Sequence, residues 1–251
     1  MKPHRSYEFR NDARLALRAR LMTSSLHCAT LLAVAGVVSG DDSAPIFQLD
    51  KLPPNVNTLL MNIGTNIDPL LPPDNNESVA VLAVEPLMHS RIRPRPRLYV
   101  MPAAVAPEGG VTMMDILHTN GVSSSLAAPA HKAFWTRSHG VRVVPVVAFR
   151  ELLASVPSRI QLLYIRTDMQ GYDYATLRSV GSQLRRVPYI TAETWFANQF
   201  TYRGLHNDFC DDLLPFMLGL GYVSCPPLAP CSARGCRRAI PHSVCAARGR
   251  S

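Results

Sequence analysis

The chain has 251 residues, of which 47% are hydrophobic and 18% charged, a composition typical of a globular protein and sufficient for one α/β domain. Its formal net charge of +8 is concentrated at the ends: residues 1–20 carry +4, residues 222–251 carry +5, and the middle carries −1. This distribution gives no argument for a nucleic-acid-binding surface, so we expect no nucleic-acid partner.

Residues 1–40 have the features of an N-terminal leader. A basic stretch ending at Arg20 precedes a moderately apolar run over residues 21–38, which ends in the small residues Ser39 and Gly40. This pattern is typical of a secretory signal or a short membrane anchor that could associate with a membrane. An organellar transit peptide and a disordered extension are the alternatives. We therefore expect an endomembrane or secreted protein, with an organellar or cytoplasmic location as the alternative.

The predicted elements of the first half are mostly strands. Short apolar runs bounded by turn residues predict buried strands, followed by a short antiparallel strand. A later β-branched run predicts a longer strand, in which Pro145 indicates a sheet edge or a bulge. These strands cover Thr58–Ile63, Val79–Val84, Leu98–Met101, 111–115 and 141–147.

The second half alternates helices and strands. Apolar spacing predicts a short helix, a buried strand, a helix with Leu177, Val180 and Leu184 on one face, and another strand. Asn207 is the expected cap of a final helix, which Pro215 should bend. These elements cover residues 149–155, 162–167, 172–184, 189–194 and 207–220.

This order of elements predicts an α/β fold for residues 41–223, with a Rossmann-like, mostly parallel sheet and helices on both faces. Two helices should be shortened, because the segment after the first strand is rich in proline and little room separates Glu85 from Leu98. Residues 224–251 are rich in Pro, Cys, Ala and Arg without periodicity, which predicts a basic, mostly disordered tail. Its cysteines could form disulfides or remain thiols, and no C-x-x-C pair indicates a metal site.

Polar groups stand where the predicted parallel strands end. Asp168 follows a buried strand, and a glycine turn at Gly171 separates it from Asp173. Gly64 follows the first strand, and Glu85 closes the second, where an acidic side chain can accept hydrogen bonds from ribose hydroxyls. Because open α/β sheets bind ligands outside the carboxyl ends of their strands, these positions predict a nucleotide-type ligand.

Three segments carry a resemblance to the FkbM family of class I S-adenosylmethionine-dependent methyltransferases. The run 62–66 resembles the family's first motif, with Asn62 where aspartate is usual, and Glu85-Pro86 matches a family dipeptide. The third segment keeps the spacing of a lysine, an aspartate, a Glu-Gly pair and a glutamate. Its residues are Arg166, Asp168, Gln170, Gly171 and Asp173. The resemblance covers roughly residues 58–222.

The resemblance implies methyl transfer from S-adenosylmethionine to a hydroxyl on a small-molecule or glycan acceptor. It assigns cofactor binding to Asn62, Gly64, Asn66, Glu85 and Asp168. It also implies a sheet that finishes with a hairpin after residue 222, although the tail does not have the pattern of strands. The alternative function is that of a non-catalytic protein that retains a methyltransferase-like fold.

Two residues are candidates for the base that removes the acceptor's proton. Asp168 is the first, and His206 the second, since a loop histidine can accept a proton near neutral pH. Asp173 either belongs to the site or stabilises the start of the following helix. Four aromatic residues could wall an acceptor pocket or pack over the sheet edge: Trp195, Phe196, Phe200 and Tyr202.

Overall fold

A computed structural model describes residues 52–117, 121, 123–128, 138–195, 202–225 and 243–248. The predicted leader and much of the tail therefore lie outside the described residues, as do Phe196 and Phe200. The strands are β1 Thr58–Ile63, β2 Val79–Val84, β3 Leu98–Met101, β4 Ala104–Ala106, β5 Gly110–Leu117, β6 Ser138–Ala148, β7 Gln161–Thr167, β8 Tyr189–Glu193, β9 Tyr222–Cys225 and β10 Ser243–Arg248. The α-helices are α1 Phe149–Ala154, α2 Asp173–Val180 and α3 Leu214–Gly219.

The main sheet has seven strands in the order β3-β2-β1-β7-β8-β10-β9. Its first five strands are parallel, and β10 runs antiparallel to both of its neighbours. The predicted α/β fold with a mostly parallel, Rossmann-like sheet is confirmed. The order of strands reverses between β1 and β7, so the crevice at their carboxyl ends is the switch point at which such sheets bind ligands.

The two faces of the sheet are covered differently. On one face, Leu59, Met61 and Ile63 of β1 join a large apolar core to which α1, α2 and the segment around α3 contribute. On the other face, a smaller cluster includes Val81 and Ala83, with Leu70 of a loop packed against it. Among the described residues all three α-helices thus contribute to one core, and the prediction of helices on both faces is wrong for them.

The missing helices are explained by the two segments that follow β1 and β2. Pro69, Pro72 and Pro73 lie between β1 and β2, where they remove backbone donors and obstruct a helix. After β2 the chain forms only a 3₁₀ turn, His89–Arg91. The prediction that two helices are shortened is therefore confirmed.

A second sheet of three strands has the order β4-β6-β5, with β5 antiparallel to β6. Pro145 pairs with Val111 of β5, whereas the pairing of β6 with β4 begins one residue later, at Val146. β6 is the middle strand of this sheet and has no bulge at Pro145, so the prediction of an edge or a bulge is wrong for the strand. Pro145 itself lies beyond the end of β4 and pairs on the β5 side alone, where its missing backbone donor is tolerated.

The helices differ from prediction at their ends. Leu177, Val180 and Leu184 are buried as expected, but α2 ends at Val180 and a 3₁₀ segment, Gly181–Arg186, continues from it. The last helix begins with a π-helical turn, Phe209–Leu213, capped by Asp208 rather than by the predicted Asn207. Pro215 lies in the first turn of α3, where a missing backbone donor costs least.

The tail contributes an inner strand to the main sheet. β10 pairs with β8 on one side and with β9 on the other, so the prediction of a disordered tail is wrong for Ser243–Arg248. The sequence of this strand, SVCAAR, has no clear apolar alternation, and its place beside β8 is a tertiary effect that a local pattern does not predict. Cys210, in the π-helical turn, is disulfide-bonded. No helix in the described part of the chain is long and apolar enough to cross a membrane.

Candidate functional site

A cavity of about 120 Å³ lies at the switch point of the main sheet. Gly64, Asn66, Glu85 and Asp168 line it, so four of the residues predicted to bind a cofactor are brought together there. The rest of the lining includes Met169, Gln170 and Tyr172 after β7. Another part comes from β4, from Met114 of β5 and from the segment around residues 121–126. The wall on that side is largely apolar, with two serine hydroxyls in it.

The turns after β1 and β7 are in direct contact. Gly64 has a φ of +73°, and a Cβ built on it would stand 1.9 Å from the backbone oxygen of Asp168. The backbone nitrogen of Gly64 donates to Val84 O at 2.9 Å, and that of Asp168 donates to Ile63 O at 2.9 Å. Only a glycine at position 64 allows the two turns to meet in this way.

Glu85 joins the two loops beside the cavity. Its Oε2 accepts a hydrogen bond from Asn66 N at 2.8 Å, and its Oε1 accepts from Leu87 N at 2.8 Å and Met88 N at 3.0 Å. Burial raises the pKa of this carboxyl, and the three backbone donors oppose that rise. A carboxylate has about four lone-pair sites, so about one remains for a ligand.

The two asparagines of the first motif have different roles. Asn62 is buried, and its Oδ1 accepts from Leu70 N at 2.8 Å, which ties the proline-rich loop to β1. Asn62 does not line the cavity, so this residue, which was predicted to bind the cofactor, has a structural role instead. Asn66 lines the cavity with a φ of 50°, in the left-handed region that asparagine tolerates.

Three carboxyl groups converge at the ends of β7 and β8. Asp173 is fully buried, and its oxygens accept from Met169 N at 3.2 and 3.3 Å. Burial raises its pKa to about 7, and the charge of Asp168 adds to the rise. Burial, together with the charges of Asp168 and Asp173, also raises the pKa of Glu193 well above its ordinary value. Of the three, only Asp168 lines the cavity.

Asp173 does not cap α2 through its side chain. The residue at the cap position, Tyr172, makes no side-chain cap bond, and the Asp173 carboxyl instead bonds to the turn before the helix. Of the two roles considered for it, the structure shows it as a buried link between the β7 turn and the first turn of α2.

Gln170 connects the carboxyl groups to the chain beyond β8. Its Nε2 donates to Asp168 Oδ1 at 2.7 Å and lies 3.5 Å from Glu193 Oε1. The hydroxyl of Tyr202 lies 2.9 Å from Gln170 Oε1 and 2.6 Å from Ser123 O, and the Ser125 hydroxyl donates to Gln170 O at 2.9 Å. The sequence showed Gln170 only as a departure from the family pattern and did not indicate this role.

Trp195 and Tyr202 pack over the sheet edge. Their rings stack with centroids 5.9 Å apart at 28°, and neither lines the cavity. A Cβ built on Gly171, whose φ is +98°, would stand 2.7 Å from the Trp195 ring. Between the two interpretations of these aromatic residues, packing over the edge describes Trp195 and Tyr202.

His206 and Asn207 occupy unlike environments. His206 is exposed and does not line the cavity, so the structure does not bring this second candidate base to Asp168. Asn207 is buried, with its Oδ1 accepting from Tyr174 N at 2.9 Å and its Nδ2 donating to Glu193 O at 3.1 Å. It links the start of α2 to the end of β8, a role that its sequence position as a cap did not indicate.

Within the described residues, no group of three or more His, Cys, Asp and Glu side chains could hold a metal ion. Comparisons with models of protein families, with curated proteins and with solved structures found no match for the chain.

Proposed function

We propose that the protein is an S-adenosylmethionine-dependent methyltransferase that methylates a hydroxyl group on a sugar or a small metabolite. The observation that carries the proposal is the meeting of Gly64, Glu85 and Asp168 around one cavity at the switch point between β1 and β7. Ligands of open α/β sheets bind at this place. The resemblance to the FkbM family supplies the choice of ligand.

The residues present fit part of such a cofactor. The turn at Gly64 leaves no side chain between the ligand and the backbone, and Glu85 has about one lone-pair site free for a ribose hydroxyl. The cofactor would supply a methyl group already activated by a sulfonium. Asp168 is then the residue that orients the acceptor hydroxyl and accepts its proton.

The end of the sheet also supports the proposal. The resemblance implies a hairpin after residue 222, and β9 and β10 pair antiparallel there. The disulfide at Cys210 favours an oxidising compartment, which fits the secretory interpretation of residues 1–40. We therefore propose that the protein acts in the endomembrane system or outside the cell.

A second candidate is a non-catalytic protein that retains this fold. Two observations favour it: the cavity of about 120 Å³ is smaller than the roughly 300–1,000 Å³ typical of ligand sites, and Glu85 already accepts three backbone hydrogen bonds. In this case the only role of Glu85 is to hold the loops after β1 and β2 together through its hydrogen bonds.

Calorimetric titration of the full chain with S-adenosylmethionine and with S-adenosylhomocysteine separates the two candidates. We expect binding that Glu85→Ala and Asp168→Ala weaken at least tenfold, whereas Glu108→Ala, at an exposed position, leaves it unchanged. No heat of binding from folded protein would overturn the methyltransferase proposal and leave the non-catalytic one. Methyl transfer to any acceptor that is lost in Asp168→Ala would exclude the non-catalytic candidate.

A further inference from the structure

The side-chain amide of Gln170 lies between two carboxyl groups, those of Asp168 and Glu193. Asp168 lines the cavity, whereas Glu193 lies behind it, and the Nε2 of Gln170 is within 3.5 Å of an oxygen of each. The environment of Asp168 is therefore set by Gln170 and Glu193, which the proposed reaction has not used.

The orientation of the Gln170 amide follows from its partners. A carboxylate oxygen only accepts hydrogen bonds, so the nitrogen of the amide must face Asp168. The amide oxygen then faces the hydroxyl of Tyr202 at 2.9 Å, and the single proton of that hydroxyl is shared between this oxygen and Ser123 O at 2.6 Å. The backbone of Gln170 is held as well, because the Ser125 hydroxyl donates to its carbonyl oxygen.

Glu193 is in a setting that disfavours its charge. Its Oε2 is buried and has no hydrogen-bond partner among the described residues. The titratable groups that face it are Asp168 at the end of β7, Asp173 at the start of α2 and the buried Tyr202. Among the described residues, the groups that shift the pKa of Glu193 include no cation, and only the backbone N–H of Gln170 favours its charged form. An ionised carboxylate with a buried oxygen beside two other carboxyl groups is costly.

We propose that Glu193 carries a proton at neutral pH, and that Glu193 and Gln170 are positioning residues that keep Asp168 the ionised carboxylate of the group. The inference rests on the proposed function. As the bond from the acceptor oxygen to the methyl carbon forms and the carbon–sulfur bond breaks, the hydroxyl proton moves to Asp168. The amide of Gln170 fixes the orientation of the Asp168 carboxylate. Because Glu193 is neutral, it adds no negative charge that would favour protonation of Asp168 before the reaction.

Infrared spectroscopy tests the proton without requiring any activity. At pH 7 the folded chain should show the carbonyl band of protonated carboxyl groups, to which Asp173 also contributes because its pKa is about 7. Glu193→Gln should remove the Glu193 component and so weaken the band, whereas Glu108→Gln at an exposed position should leave it unchanged. As a second measurement, the thermal midpoint of Glu193→Gln should rise relative to the wild type as pH increases from about 5 to about 8. The reason is that Glu193 of the wild type loses its proton in the unfolded chain but keeps it in the folded one, which stabilises the unfolded state as pH rises. A band of undiminished intensity in Glu193→Gln, with no pH-dependent difference in midpoint, would overturn the proposal.

The pH dependence of methyl transfer tests the positioning. Gln170→Met removes the hydrogen-bond donor at similar side-chain volume. The acid side of the pH profile of kcat/KM should therefore shift to higher pH by about one unit, so that kcat/KM falls about tenfold at the lowest pH values of the profile. Gln183→Met, the same change at an exposed position, should not move it. An equal loss at every pH would mean a purely structural role and would refute the positioning. If calorimetry finds no cofactor binding, the proposed function fails, and the infrared band still decides where the proton lies.

Discussion

Gly64 packs directly against the backbone of Asp168 where the two central strands end at the switch point. A side-chain carbon on Gly64 would stand 1.9 Å from the carbonyl oxygen of Asp168 and 2.7 Å from its carbonyl carbon. Both clashing atoms belong to the backbone, so neither can rotate away. The conformation of the β1 turn and the position of the candidate base are therefore determined together.

Gly64→Ala should accordingly be among the most destabilising small substitutions in the chain. The added carbon forces the two turns apart, and a φ of +73° strains any other residue. We expect a loss of more than about 2 kcal/mol in urea unfolding. Gly219→Ala is the matched control, because a Cβ there meets nothing within 4 Å. Equal effects of the two substitutions would contradict the contact.

The sequence predicts the parts of this site that depend on local pattern. The buried runs of β1, β2 and β7, each ended by a turn or an acidic residue, predict that Gly64, Glu85 and Asp168 meet at one edge. The bonds of Gln170 and Asn207 are not predictable in this way, because their partners lie up to 45 residues away in the chain. The tail strand was missed for the same reason, since its partner β8 lies about fifty residues earlier.

Glu85→Gln tests whether the hydrogen bonds of Glu85 hold the loops after β1 and β2 together. A glutamine presents one acceptor oxygen and one donor nitrogen, so at least one of the backbone donors at Asn66, Leu87 and Met88 loses its partner. We expect a loss of about 1–3 kcal/mol, or about 2–4 °C per kcal/mol in thermal midpoint, without any ligand present. Glu108→Gln, at an exposed position, should be neutral. An unchanged midpoint for Glu85→Gln would mean that the carboxylate is free for a ligand.

Asn207→Ala should weaken the connection between α2 and β8. The substitution leaves Tyr174 N and Glu193 O without their partners, and each buried unsatisfied group costs about 1–3 kcal/mol. Urea unfolding should show a loss in that range or above, whereas Asn75→Ala, at an exposed position, should show none. If hydrogen exchange at the start of α2 is not faster in Asn207→Ala, the bond to Tyr174 does not hold that helix.

Asp173→Asn should change the pH dependence of stability. Because burial raises the pKa of Asp173 to about 7 in the folded state, against about 3.9 when unfolded, the wild type loses stability as pH rises through this interval. Asparagine keeps an acceptor for Met169 N and never ionises. The free energy of unfolding of the variant should therefore rise relative to that of the wild type from about pH 4 to about pH 7, by at most about 4 kcal/mol.

Urea unfolding at several pH values measures this difference, with Asp74→Asn as the exposed control that should show no trend. The direction is informative, because a carboxylate stabilised by its bonds to Met169 would give the opposite slope, with the wild type gaining as pH rises. A constant difference across the range would mean that Asp173 titrates in the folded state as it does in the unfolded chain, so that burial does not raise its pKa. Asp168 and Glu193 would then have an ionised neighbour at neutral pH, and the distribution of protons in the group would differ from the one proposed.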